Sequence, residues 1–157
     1  MACDATARLY DVDEDSVVFA KLQKTEKYDQ GTVTFTARQG KLIDLDQLHE
    51  SIWATRLSGG TRSGLVSLEV TVIGEVANAE GKLMLKVSGS DKTFELGKHA
   101  DEAYAAVFTA LPANADKPVK LTGIIDNYAG QWPSVLKKQP TNPRRILVTR
   151  VVCTQAR

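Results

Sequence analysis

Tyr128, Trp132, Lys137, Lys138, Arg144 and Arg145 crowd into one polar stretch, residues 126–145, flanked on both sides by apolar runs. Aromatic planes interleaved with cations are the residue types that bind anions, because rings stack while cations pair with phosphate or carboxylate oxygens. Pro133, Pro140 and Pro143 restrict the same stretch, which lowers the entropy lost when it orders on a partner. At 20 residues the connection exceeds the ~12–15 residues that compact folds ordinarily leave without structure. Two readings are open: a contact surface built on these six side chains, or a loop folded over the body with Trp132 as its anchor.

Nothing else in the chain offers comparable chemistry. The two histidines stand apart, His49 in a predicted helix and His99 in a turn, without cysteine, histidine or carboxylate at chelating spacing. Each is expected to be solvated or capping, and no metal or other cofactor is expected. Asp11, Asp13, Glu14 and Asp15 partly imitate a calcium loop, but the central glycine and the terminal bidentate glutamate are missing. A solvated acidic turn is the simpler expectation. No nucleophile elbow, zinc-protease helix or dinucleotide fingerprint occurs. Ser58–Gly64 is glycine-rich, yet it follows a helix and precedes a strand, the reverse of a phosphate loop. The expectation is therefore a protein that is not an enzyme.

Cys3 and Cys153 are the only cysteines. Cys153 lies in an apolar run and is expected to be a buried, inert thiol. A bridge between the two would tie the ends together, but two cysteines do not fix the redox compartment. Met1-Ala2-Cys3-Asp4 lacks the basic start and apolar stretch of a secretory leader. Two localisations stay open: cytoplasmic, or the cell envelope with Cys3 as the lipid-bearing first residue of a mature lipoprotein. No run approaches the ~18 apolar residues of a transmembrane helix.

The elements that must position these residues follow from periodicity. Thr6–Val12 and Val17–Gln23 read as strands around the acidic turn, or the second as a helix starting at Asp13. Thr32–Arg38 alternates, with Val33, Phe35 and Ala37 on one face. Asp44 caps a helix in which Leu45, Leu48, Ile52 and either Trp53 or Leu57 form the apolar stripe, ending at Ser58-Gly59-Gly60. A long strand from Val66 to Val76 carries Gly74 on its apolar face, which predicts a bulge or bend. Asn78–Gly81 and Gly89–Asp91 turn it into Lys82–Ser88 and Thr93–Leu96. A helix over Asp101–Leu111, with Ala103, Val107 and Leu111 inward, precedes strands Val119–Ile125 and Ile146–Cys153.

The order strand, strand, strand, helix, strand, strand from Val66 to Cys153 resembles an OB-fold barrel. That resemblance implies a ligand face on the second and third strands, rimmed by the connections between strands one and two and between four and five. Asp29–Phe35, Asp44–Ile52 and a strand over Leu65–Val72 resemble the back half of a heavy-metal-associated domain, a ferredoxin-like fold. The family's Cys-x-x-Cys metal pair is absent, since Cys3 is followed at that spacing by Thr6. The metal role does not carry over, and the strand from Leu65 would be shared between the units. The fold class expected is α+β and β-rich: a small ferredoxin-like α+β unit over 1–61, then an OB-like five-stranded barrel over 62–157 with one helix between strands three and four.

With 157 residues, 43% hydrophobic and 25% charged, the chain has the composition of a folded globular protein. Its net charge of +1 hides an uneven distribution. Residues 1–64 carry 8 basic and 10 acidic side chains, residues 65–116 carry 4 and 8, and residues 117–157 carry 8 and 1. Three functions fit: a non-catalytic binding protein for an anionic ligand or protein partner, an envelope accessory protein related to metal handling, and a single-stranded nucleic-acid binder. If the basic segment is exposed in the fold, the charge asymmetry marks either an anion-binding patch or a head-to-tail contact with an acidic neighbour, which leaves a homo-oligomer held by charge complementarity open.

Overall fold

The computed structural model describes residues 11–21, 31–55, 65–111, 118–126 and 145–154. The chain is β-rich with few helices, and it divides into two compact units, Met1–Leu65 and Val66–Arg157.

In the first unit, strands β1 (Val18–Lys21) and β2 (Gly31–Thr34) pair antiparallel, Phe19 opposite Val33. Asp13 accepts the Asp15 amide and opens a 3-10 turn over Glu14–Ser16. The acidic run is thus a turn, as expected, and the chain leaves it as a strand, not the alternative helix. The alternation of Val33, Phe35 and Ala37 holds in their half-burial between exposed threonines. The strand itself is shorter than the sequence predicts. At Thr36 the backbone amide donates to Ser16 Oγ instead of to a strand neighbour, and pairing resumes only at the Val12–Ala37 bridge. Val12 is buried there.

Helix α1 (Leu45–Ala54) starts where Asp44 Oδ1 accepts the amides of Asp46 and Gln47. It buries Leu48 and half-buries Leu45 and Ile52. It stops earlier than the glycines: Thr55 turns extended, its hydroxyl donating to Ser51 O at 2.9 Å, and so satisfies a last-turn carbonyl without a left-handed residue. Leu57 and Ser58–Gly64 lie outside the described residues.

The second unit is a five-stranded mixed sheet: β3 (Glu69–Ala79), β4 (Lys82–Val87), β5 (Thr93–Lys98), β6 (Val119–Ile125) and β7 (Arg145–Cys153), with helix α2 (Glu102–Thr109) between β5 and β6. The pairing order β3-β4-β5-β7-β6 returns from β6 to β3, a closed barrel in which only β5 and β7 run parallel. Closure depends on β3, which pairs with β6 through Glu69–Gly74 and with β4 through Gly74–Ala79. Gly74 is the corner, and a Cβ there would lie well under 3.0 Å from the Lys86 carbonyl oxygen. Both ladders of β3 run to strands of its own unit, and the strand begins at Glu69, not Leu65. Glu80 and Gly81, with φ of 53° and 79°, make the two-residue turn into β4, the primed geometry that matches strand twist.

Alternate residues fill the interior: Val72 and Val76, Leu85 and Val87, Leu96, Val119, Leu121 and Ile125, Ile146 and Val148. Asp101 caps α2 by accepting the Ala103 amide. The helix packs on β5 and β7 through Ala105, with Leu111 buried just beyond it. Ala103, expected inward, is exposed.

Candidate functional site

Of the six side chains singled out in the 126–145 stretch, Arg145 is described; Tyr128, Trp132, Lys137, Lys138 and Arg144 lie outside the described residues. Arg145 is the first residue of β7 and faces Asp126, which follows the last residue of β6. Its Nη2 donates to Asp126 Oδ2 at 2.5 Å and its Nε to the same oxygen at 3.2 Å. The Asp126 amide donates to the Arg145 carbonyl oxygen at 2.9 Å. Backbone and side chains together hold the two ends of the connection side by side. Arg145 is therefore already neutralised by a carboxylate, a clamp where the sequence suggested a free cation. Only the pairing of β6 with β7 brings Asp126 opposite it, and adjacency in sequence carries no sign of that.

This neck sits at the edge of the outward face of β5. Arg145 is in register with Glu95, and its Cδ lies over Gly97 beside the side chain of Leu147. Directly paired residues point to the same side of a sheet, so the outward side of β4 and β5 presents Met84 beside Glu95 and Lys86 beside Thr93. Lys82 Nζ reaches Glu95 Oε2 at 2.9 Å. Phe94, the one aromatic residue of these two strands, pairs with Leu85 and belongs to the interior side. The face has mixed charge and no stacking platform. A shallow cleft nearby, lined by Glu75, Lys86 and the turn Ser88–Asp91, offers polar groups without enclosure.

His99 lies between β5 and α2. Its Nδ1 accepts the Asp101 amide at 3.0 Å, and its ring meets Tyr104 edge-on at 5.0 Å. It supports the entry of the helix, the capping role expected of it. The side chain of His49 is outside the described set. No group of three or more metal-ligating side chains occurs among the described residues. No described helix is long and apolar enough to cross a membrane.

Cys153 corrects the sequence reading. It is a free, exposed thiol at the end of β7, beyond Val148 where the β5 ladder stops, so among the described residues no strand lies on that side of it. Its apolar neighbours in sequence are not its cover. Cys3 lies outside the described residues. Comparison of the chain with protein-family models, curated proteins and solved structures gives no match.

Proposed function

We propose that this chain is a non-catalytic binding protein whose second unit is an OB-like barrel, with the 126–145 connection as its contact surface for an anionic ligand or acidic protein partner. The observation that carries the reading is the Asp126–Arg145 clamp. It gathers both ends of a stretch holding Tyr128, Trp132, Lys137, Lys138 and Arg144 at one point on the barrel rim. The strand order, the parallel β5–β7 pair and the helix between β5 and β6 support the OB-like assignment, and the rim in question is the one that assignment makes functional. A single-stranded nucleic-acid binder would gain from aromatic residues on the outward faces of β4 and β5. Those strands offer Met84, Lys86, Thr93 and Glu95 there, which favours a carboxylate-bearing partner over a nucleic acid.

The test titrates the full chain with labelled poly-glutamate and, separately, with a labelled single-stranded oligothymidine, at low and high salt. Poly-glutamate binding that weakens at least ~10-fold in Lys137→Glu/Lys138→Glu supports the proposal, since each lost phosphate or carboxylate contact also lowers the salt dependence. No binding of poly-glutamate at low salt, or binding indifferent to those substitutions, overturns it. Salt-sensitive binding of the oligonucleotide alone replaces it with the nucleic-acid reading.

A further inference from the structure

On the other side of the barrel, the outward positions of β3, β6 and β7 form three cross-strand rows: Ile73–Lys120–Val152, Thr71–Thr122–Arg150 and Glu69–Ile124–Leu147. Ile73 is 47% exposed and Val152 44%, large values for aliphatic side chains in mid-sheet and at a strand end. Thr71 and Thr122 satisfy each other, hydroxyl to hydroxyl at 2.9 Å. Lys120 and Arg150 are exposed, and among the described residues their side chains have no ion-pair or hydrogen-bond partner. Lys82, Arg38 and Arg145, by contrast, each have a carboxylate. The first two rows hold two aliphatic groups, two cations and no acid, while Glu69 lies in the third row and Glu75 two residues beyond Ile73 on the same side of β3.

The first unit carries a surface of the opposite kind. The exposed turn residues Asp13, Glu14 and Asp15 run straight into β1, where Val18 is 61% and Phe19 52% exposed. The Asp15 carboxylate has no partner, and Glu14 reaches only Arg38, at 3.7 Å between two well-exposed side chains. A two-stranded sheet this short gains little stability by itself and is helped by cover. Aliphatic groups flanked by cations on one unit, and apolar groups flanked by carboxylates on the other, are complementary in both charge and hydrophobicity.

We infer that the Ile73–Lys120–Val152–Arg150 face docks the acidic turn and β1 of a second copy of this chain. The two patches are different surfaces, so the contact is heterologous and each copy offers one patch of each kind. Apolar side chains at the centre supply burial, while the charges set register and raise the encounter rate. Aliphatic groups give nucleic-acid bases nothing to stack on, whereas they bury readily against apolar protein side chains, which is why the occupant is protein. The substitutions that test this face leave Lys137 and Lys138 intact, so this contact and ligand binding at the 126–145 connection are read independently.

Sedimentation velocity of the full chain over a concentration series reads the contact. Self-association is expected at low salt and is expected to weaken at least tenfold at about 0.5 M salt, where the screening length falls to a few Å. Lys120→Glu/Arg150→Glu and Glu14→Lys/Asp15→Lys are all exposed changes, and each variant alone is expected to sediment as a monomer with unaltered circular dichroism. An equimolar mixture of the two variants is expected to associate again, because each supplies the native partner of the other's intact surface. A wild-type chain that stays monomeric at low salt overturns the inference. So does either variant associating like wild type, or a mixture that remains monomeric.

Discussion

Replacing Gly74 by alanine tests whether the barrel closes as described. The added Cβ would lie within the van der Waals envelope of the Lys86 carbonyl oxygen, 3.0 Å from the Lys86 carbonyl carbon and 3.1 Å from Leu85 Cδ1. Two of these three atoms are backbone, so no rotamer change relieves the clash and β4 must move away. Overpacking of this kind costs ~1–3 kcal/mol, and a rigid main-chain obstacle belongs at the upper end. One ladder hydrogen bond weakened at the Gly74–Val87 position adds about 1 kcal/mol. The reduced freedom of alanine in the unfolded chain returns about 0.5–1 kcal/mol. The net loss is about 3 kcal/mol, a fall in melting temperature of roughly 12–24 °C at 4–8 °C per kcal/mol for a unit of this size. Gly97→Ala is the control. Its Cβ would meet Leu147 Cδ2 at 2.9 Å, the far end of a side chain that can turn aside, so the loss there is at most about 1 kcal/mol. Calorimetry of both variants decides. If Gly74→Ala melts within a few degrees of wild type, or no lower than Gly97→Ala, then β3 does not pass from β6 to β4 at this residue and the corner is misplaced.

Two further outcomes follow from the geometry. The Asp126–Arg145 pair is partly exposed, 23% and 44%, so a double-mutant cycle of Asp126→Ala and Arg145→Ala should return a coupling of about 0.5–1 kcal/mol. A coupling near zero would remove the clamp as an organiser of the neck. Native alkylation with iodoacetamide followed by peptide mapping should modify Cys153 at a rate close to that of the unfolded chain; protection of that thiol would show that the end of β7 is covered.

Local features of this fold were legible in the sequence because local residues cause them. Val119–Ile125 was readable to its ends, since strict alternation there buries Val119, Leu121 and Ile125. The cap at Asp44 announced itself by residue type, as did the turn before Lys82, whereas Asp101, expected as the first helical residue, is instead the cap. The failures share a cause. Thr36 leaves its strand because Ser16, twenty positions earlier, offers a hydroxyl. The first helix ends on Thr55 because a side-chain hydroxyl reached back sooner than a glycine did. Cys153 is exposed because the parallel ladder stops at Val148. Each outcome was decided by a competing polar group or by a pairing invisible to a local window. In the candidate site the aromatic and basic residue types were readable, while the loss of Arg145 to Asp126 depended on pairing across the connection.

The parallel β5–β7 pair has a consequence for how the chain reaches its native state. Until residues 145–148 arrive between them, β5 and β6 are two open strand edges with unpaired amides and carbonyls. The final strand is therefore a keystone whose partner β5 lies about fifty residues earlier in the chain, a slow closure by the measure of sequence separation. During synthesis the half-built sheet has to wait for it.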